Sequence, residues 1–190
     1  MVDELAEQLT TKSGFIRAYG MFWSAREVDW TGYDSNRRLE LLGRINMNRG
    51  ALQMVNFWDQ QGIYILDNDH GPYYVGQTIG QNLNLGKRLR HHHTGSNGSP
   101  HKGKWDRFSW FGWRRVLSGA DHRGLQKLGR LPGGVLTSSK NTVQDIESLL
   151  IHATGTRSVG NAKEETFVAA VRWEQVLWSD RDHYLDKVKR

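Results

Sequence analysis

The sequence has no cysteine among its 190 residues. This absence excludes disulfide bonds, thiolate nucleophiles and cysteine-ligated zinc sites, and it fits a reducing compartment, so we expect a cytoplasmic location. No apolar run approaches the roughly 20 residues that a membrane-spanning helix needs, so we expect no membrane partner. The N-terminus carries Asp3, Glu4 and Glu7, which is the wrong charge for a secretory signal peptide.

Acidic residues are scarce where basic residues are dense. In residues 86–115, Asp106 is the single acidic residue, and the net charge of the whole chain is +6. A polyanion is the natural partner for such a segment, although a solvated basic face is the alternative interpretation. The lysines and arginines of the segment are Lys87, Arg88, Arg90, Lys102, Lys104, Arg107, Arg114 and Arg115.

The composition is otherwise that of a soluble globular protein, with 37% hydrophobic and 24% charged residues. The length allows one well-filled core with a small appended subdomain. Eight tryptophans are many for this length. We expect at least one of Trp105, Trp110 and Trp113 to lie in the core, and a minority to be available for stacking on bases.

The hydrophobic pattern predicts several elements along the chain. A helix is expected over residues 5–23 and two strands over 38–45 and 51–58, so residues 1–58 are predicted to form an N-terminal α/β extension of unknown role. Residues 59–178 are predicted to form the main domain, and residues 179–190 a C-terminal helix. No internal repeat is evident.

A β-hairpin and a helix are predicted next. Residues 62–66 and 73–77 are rich in β-branched and aromatic residues, and they flank a cluster of turn formers. Asn84 can cap a helix that ends near His93. A mobile loop over residues 94–104 and a third strand over 107–117 should follow.

A second informative helix is predicted over residues 142–153. Val143, Ile146, Leu150 and Ala153 have helical spacing, and Glu147 lies inside this apolar stripe. A carboxylate that faces an apolar interior is costly unless it is paired, protonated or bound to a metal. The alternative is a glutamate at the helix edge that reaches solvent or pairs with an arginine.

On the helix over residues 84–93, Arg88 and His92 are four residues apart and lie on one face. Both could point at an anion, and the alternative is that they are ordinary surface residues. The run of His91, His92 and His93 does not predict a zinc site, because successive helical side chains diverge by about 100°.

The hairpin resembles the paired signature of the GIY-YIG nuclease family, with GIY at residues 62–64 and YVG at residues 74–76. The family then places an arginine on the next helix, a histidine four residues later, a metal-binding glutamate on a later helix and an asparagine beyond it. Arg88, His92 (or His91), Glu147 and Asn161 occur in that order. The resemblance covers residues 61–172.

The resemblance implies an α+β fold with a small, mostly antiparallel central sheet flanked by helices. It implies a DNA endonuclease in which Glu147 holds one divalent cation, Mg²⁺ or Mn²⁺, and Arg88 neutralises charge on the phosphate. Tyr64 would be the general base, by analogy with the family, and Asn161 would orient the site. Because a free phenol has a pKa near 10, Tyr64 needs help from the phosphate, from Arg88 or His92, or from a relay through Tyr74.

Two alternatives remain open at this point. One is a non-catalytic nucleic-acid-binding module with the same fold, and the other is a nuclease directed at RNA. Plain strand packing is the alternative interpretation of Tyr64 and Tyr74. Contacts to the nucleic-acid backbone outside the catalytic centre are expected from Lys87, Arg90, Lys102, Lys104, Arg107, Arg114 and Arg115.

Overall fold

The structure, a computed structural model, describes residues 15–32, 38–46, 51–78, 83–131, 145–146, 148–149, 152, 167 and 169–189. Within these residues the chain forms ten β-strands, arranged in two five-stranded sheets, and two α-helices of eight residues or more. The α+β class predicted from the sequence therefore holds in its broad form, although the chain has two sheets rather than one central sheet.

The first sheet has the strand order β5-β4-β6-β1-β9. Its neighbours pair antiparallel except for β1 and β9, which pair in parallel. The strands are β1 (Ala18–Ser24), β4 (Gly62–Asn68), β5 (Gly71–Gln77), β6 (Arg107–Gly112) and β9 (Val171–Arg172).

The second sheet has the strand order β10-β2-β3-β8-β7. All its pairs are antiparallel except β3 with β8. The strands are β2 (Leu42–Ile45), β3 (Gln53–Asn56), β7 (Val116–Ala120), β8 (Gln126–Leu128) and β10 (Glu174–Gln175). β2 and β3 lie within the two strands predicted for the first third of the chain.

The helix predicted over residues 5–23 is wrong for its last nine residues, because residues 15–17 are not helical and residues 18–23 belong to β1. Residues 1–14 lie outside the described part of the chain. Tyr19, Phe22 and Trp23 favour a pleated surface. Pairing with β6 decides the conformation, and the register breaks between Gly20 and Trp23. The proposed domain division at residue 58 stays a prediction, and β1 crosses it by pairing with β6.

The main core lies between the two sheets. The ring centroid of Trp110, on β6, lies 5.3 Å from that of Trp23 on β1 and 4.5 Å from that of Phe57, which follows β3. Large apolar surfaces from both sheets are therefore removed from water together, which is the dominant favourable contribution to folding. Seven of the eight tryptophans are buried, namely Trp23, Trp30, Trp58, Trp105, Trp110, Trp113 and Trp173.

Helix α1 spans Leu85–Thr94 and helix α2 spans Arg181–Val188, inside the C-terminal helix predicted over residues 179–190. α2 packs against the second sheet, and its Arg181 donates two hydrogen bonds to the buried carboxylate of Glu40. Arg123 pairs with the same carboxylate. Neither helix, nor any other in the described residues, has the length and apolarity needed to cross a membrane.

Candidate active site

The predicted hairpin is confirmed, with longer strands and a turn at Asp69 and His70. Tyr64 on β4 is paired with Gly76 on β5, and the Tyr64 side chain is fully buried. A Cβ at Gly76 would overlap the Tyr64 ring and hydroxyl. A Cβ at Gly62 would overlap the carbonyl oxygen of Phe111 on β6. Both signature glycines are thus required by close approach, and Gly76 makes room for the tyrosine.

The helix predicted over residues 84–93 is confirmed as α1. The Asn84 side chain accepts a hydrogen bond from the backbone N–H of Lys87, which caps the helix, and Gly95 ends it with a left-handed conformation. Leu85, Leu89 and His92 are buried, and together with Arg88 they follow the i, i+3, i+4, i+7 spacing of one helix face, which lies against the hairpin.

The hairpin and α1 meet at a buried hydrogen bond. The Tyr64 hydroxyl lies 2.8 Å from Nε2 of His92, and Nδ1 of the same ring lies 3.0 Å from Oγ of Ser99. Burial, together with the charges of His101 and Arg88, lowers the pKa of His92 to about 4. A neutral imidazole has one N–H. When Nδ1 donates that hydrogen to Ser99, Nε2 accepts a hydrogen bond from the Tyr64 hydroxyl.

Tyr64 is a weaker acid here than in water. Burial raises its pKa to about 12, while the nearby charge of Arg88 acts in the opposite direction. The phenol is therefore protonated near neutral pH. It can take a proton from another molecule only if it passes its own proton on, and Nε2 of His92 is the acceptor within hydrogen-bonding distance.

Arg88 carries an unused donor beside this pair. Its Nε is buried and has no hydrogen-bond partner within the described residues. A buried donor without a partner costs free energy, so an anion at this position would be stabilised. The planar guanidinium matches the oxygens of a phosphate.

His101 completes the cluster, and the sequence analysis missed it. Its ring centroid lies 4.3 Å from that of Tyr74 and 4.7 Å from that of His92, and its Nδ1 lies 3.3 Å from the Tyr73 hydroxyl. Burial, Lys104 and Arg88 lower its pKa. His101 lies in the segment predicted to be a mobile loop, where no local pattern distinguishes it from a surface histidine.

Comparison with known families decides the kind of site. Residues 60–118 match the GIY-YIG catalytic domain. The resemblance is therefore confirmed over a segment of about a third of the chain, which we call the GIY-YIG segment, and the match implies nuclease-type activity in the broad sense. No curated protein and no solved structure matches the chain.

The GIY-YIG segment contains Tyr64, Tyr74, Arg88, His92 and His101, which the structure brings together. It ends before the other two predicted site residues. Glu147 and Asn161 lie outside the described part of the chain, as do Val143, Leu150 and Ala153. Their roles stay predictions.

The apolar stripe predicted around Glu147 is wrong at its one described position. Ile146 is 43% exposed, whereas Asp145 and Ser148 are fully buried. Asp145 can be buried because its carboxylate accepts a hydrogen bond from the backbone N–H of Ile16, at 3.1 Å. Leu149 packs on the same apolar cluster as Ile65 and Phe111. A metal at Glu147 is therefore an expectation from the family resemblance alone, and the apolar stripe does not support it.

The described donors around Tyr64 fit a phosphate better than a metal ion. No group of three or more His, Asp or Glu side chains in the described residues could hold a metal. Both nitrogens of His92 are already hydrogen-bonded, and Mg²⁺ prefers carboxylate and carbonyl oxygens. A divalent cation beside Tyr64 would therefore need carboxylate ligands that this cluster of tyrosines and histidines does not contain.

The predicted backbone contacts divide into two groups. Lys87, Lys102, Lys104 and Arg115 are exposed. The other three arginines donate hydrogen bonds to main-chain carbonyl groups. Arg90 donates to Trp30 and Arg107 to Asn68. Arg114 donates to both Gly129 and Asp59. Trp105, Trp110 and Trp113 all lie in the core, so the prediction that at least one does so is confirmed.

The three successive histidines point to different surroundings. His92 faces Tyr64, whereas the His93 ring stacks on Trp30 with centroids 5.0 Å apart. The side chains diverge around the helix, as the sequence analysis expected, and they do not converge on one ion.

Proposed function

We propose that the protein is an endonuclease that hydrolyses phosphodiester bonds in DNA and uses one divalent cation, Mg²⁺ or Mn²⁺, with Glu147 as its protein ligand. The observation that carries this proposal is the buried Tyr64–His92 hydrogen bond beside the unpartnered Nε of Arg88. The hydrogen bond gives the Tyr64 proton a path to His92, and the Arg88 Nε beside it can donate to a phosphate oxygen. The GIY-YIG match supports nuclease-type chemistry.

In the proposed reaction a water molecule attacks phosphorus, and the bond from phosphorus to the 3′ oxygen breaks. The water proton moves to the Tyr64 oxygen as the phenol proton moves to Nε2 of His92. The leaving 3′ oxygen takes a proton from solvent. His92, which becomes an imidazolium, returns its proton to the phenol when the phenol loses one to bulk water, and the site is reset.

The substrate itself makes His92 a better base. The positive charges of His101 and Arg88 contribute to the low pKa of His92 in the free protein. A phosphate placed among these groups adds negative charge and stabilises the imidazolium. The proton transfer is then favoured only when the substrate is bound.

Arg88 has a separate role in this scheme. Its guanidinium donates to the non-bridging phosphate oxygens and stabilises the charge that develops on them. When bound, the cation polarises the scissile phosphate and stabilises the leaving oxygen. Tyr74 and His101 pack around His92 and limit the access of water to it. Asn161 is proposed to orient the site by hydrogen bonding.

The test incubates the purified protein with supercoiled plasmid, single-stranded DNA and RNA, each with Mg²⁺, Mn²⁺ or EDTA. We expect cutting of DNA that EDTA and Glu147→Gln abolish. Tyr64→Phe and His92→Gln should each lower the rate by about 10²- to 10⁴-fold, the usual contribution of general acid–base catalysis. Tyr184→Phe, a buried tyrosine on α2, is the matched control and should cut normally.

Each alternative has its own result. Cutting that persists in EDTA or in Glu147→Gln would overturn the metal assignment. Binding without cutting on every substrate would identify a non-catalytic module, and cutting of RNA alone would identify an RNA-directed nuclease. Full activity in Tyr64→Phe would overturn the proton path.

A further inference from the structure

Two cavities share a wall that contains Arg17, Arg115 and Leu117. The first has a volume of about 430 Å³ and is also lined by residues of the second sheet, including Ile45 and Gln126. The second has a volume of about 440 Å³ and adds Arg130 and Trp113. We call the pair the arginine cleft. None of the tyrosines or histidines of the GIY-YIG site lines it.

The fold holds these three arginines on well-anchored backbone. Arg17 directly precedes β1, and its backbone N–H donates to the Gly112 carbonyl at the end of β6. Arg115 lies between β6 and β7, and its carbonyl accepts from the backbone N–H of Gly129, next to Arg130. Both sheets therefore contribute to the position of the cleft.

Within the described residues the arginines of the cleft form no ion pair, although the carboxylate of Asp145 acts on Arg17 from a greater distance. Arg44, Arg123 and Arg181 each pair with a carboxylate, whereas Arg17, Arg115 and Arg130 have no ion pair within the described residues. Burial and the charge of Arg115 lower the pKa of Arg17, and the carboxylate of Asp145 opposes this effect. That carboxylate already accepts a hydrogen bond from the Ile16 backbone. Like charges held close together repel each other and destabilise the folded state.

We propose that the arginine cleft binds a backbone phosphate of the nucleic-acid substrate, at a position several nucleotides from the hydrolysed bond. This inference rests on the proposed function. One guanidinium group can donate to two oxygens of a phosphate at once. The cleft is large enough for a phosphate with its sugar. The Leu117 and Trp113 side chains give it an apolar wall against which a sugar can pack.

The position of the cleft suits a second contact on one substrate. Tyr64 is two residues from Gly62, which is paired with Gly112, the residue that anchors Arg17. From strand spacing, the Cα atoms of Arg17 and Tyr64 are on the order of 15 Å apart. That distance corresponds to roughly four base pairs of duplex. A short substrate can therefore reach both places.

The experiment measures binding of a fluorescent DNA duplex to Tyr64→Phe in the presence of EDTA, where the substrate is expected to stay intact. Arg17→Gln and Arg130→Gln are added together in that background. Lys127→Gln is the matched control, because it also removes a charge but lies on an exposed position next to the cleft residue Gln126. Each protein is titrated from low to physiological salt, and its melting temperature is recorded.

We expect the double variant to bind about 10-fold or more weakly at low salt, with a salt slope smaller by about one to two, as for the loss of one or two phosphate contacts. Its melting temperature should rise, because charge repulsion is relieved. Lys127→Gln should change neither property to this extent. The combination distinguishes a binding site from arginines that support the fold.

Three results would overturn the inference. The first is a double variant with the affinity and salt slope of the control, and the second is a double variant with a lowered melting temperature. The third is a cleft that takes only a free anion, seen as stabilisation by inorganic phosphate that the double variant loses while DNA binding is unchanged. If Tyr64→Phe binds no nucleic acid at all, the proposed function fails together with the cleft.

Discussion

The Tyr64 hydroxyl is 2.8 Å from Nε2 of His92, in a buried hydrogen bond. The route through His92 by which Tyr64 could lose its proton therefore has a hydrogen bond already in place. The same contact fixes the relative position of β4 and α1. In the proposed mechanism, proton transfer and the packing of α1 on the hairpin thus involve the same pair of side chains.

Acid should destabilise the fold through His92. Because its pKa is lowered to about 4, the unfolded chain binds a proton at this residue below about pH 6.5 and the folded chain does not. The stability contribution is complete above pH 6.5 and is lost as the pH falls towards 4. Chemical denaturation of wild type and His92→Gln should show their difference in unfolding free energy shrinking by about 2 kcal/mol across that window.

The comparison with His92→Gln removes the effects of groups that both proteins share, such as Asp67 and His101. A difference that is constant from pH 8 to pH 4 would mean that His92 titrates normally. Its low pKa would then be wrong.

Gly76→Ala should inactivate the site without unfolding the protein. The added methyl group would overlap the Tyr64 ring, so the phenol must move away from His92. We expect a loss of cutting of about 10²-fold, comparable to the loss of a positioned catalytic group. Gly119→Ala is the control, because a Cβ there meets no atom within 4 Å. Normal cutting by Gly76→Ala, with a normal circular dichroism spectrum, would contradict the proposed geometry.

Asp67→Asn should stabilise the protein at neutral pH. Burial raises the pKa of Asp67 to about 6, although Arg107 and Ser109 act in the opposite direction. A raised folded-state pKa means that stability present below about pH 4 is lost as the pH rises through 6. The neutral amide avoids this loss, so denaturation at pH 8 should show a gain of about 1–2 kcal/mol and denaturation at pH 4 should show none.

Asp69→Asn serves as the control for that gain, because its side chain is almost fully exposed. If Asp67→Asn is less stable than wild type at both pH values, the carboxylate contributes favourable contacts that outweigh its desolvation.

Arg114→Gln should reduce stability rather than affinity. The guanidinium donates to the carbonyl oxygens of Gly129 and Asp59, at 2.6 and 2.7 Å, and thereby joins the chain after β8 to the start of the GIY-YIG segment. Losing these donors should cost about 1–3 kcal/mol in denaturant unfolding. Lys87→Gln, on the exposed side of α1, should keep full stability and lower the salt dependence of DNA binding by about one phosphate contact. If Arg114→Gln instead kept full stability and lowered the salt dependence of DNA binding, Arg114 would be a DNA contact rather than a structural residue.

The sequence predicted those parts of the molecule that local chemistry determines. Turn formers specify the hairpin, and Asn84 and Gly95 specify the two ends of α1. β1 could not be predicted in the same way, because its conformation depends on pairing with β6, almost 90 residues later. His101 lies in a loop, and the hydrophobic periodicity that predicts helices and strands does not predict where a loop residue packs.

The stripe around Glu147 is wrong at Ile146, its one described position, for a different reason. Counting apolar positions treats every buried residue as apolar, whereas Asp145 is buried because it accepts a hydrogen bond from Ile16. A single long-range hydrogen bond can therefore rotate the buried face of a helix. The family order of residues predicted Tyr64, Tyr74, Arg88 and His92, which the structure brings together.

The place of β1 between β6 and β9 has a consequence for how this protein can be divided. The region recognisable as GIY-YIG contains β6, whose edge pairs with β1, and Trp23 of β1 packs against Trp110 of β6. A fragment cut at residue 60 would present unpaired backbone groups and bare indole rings to water, and it would tend to aggregate. We therefore expect that the portion that carries the family's signature does not fold by itself.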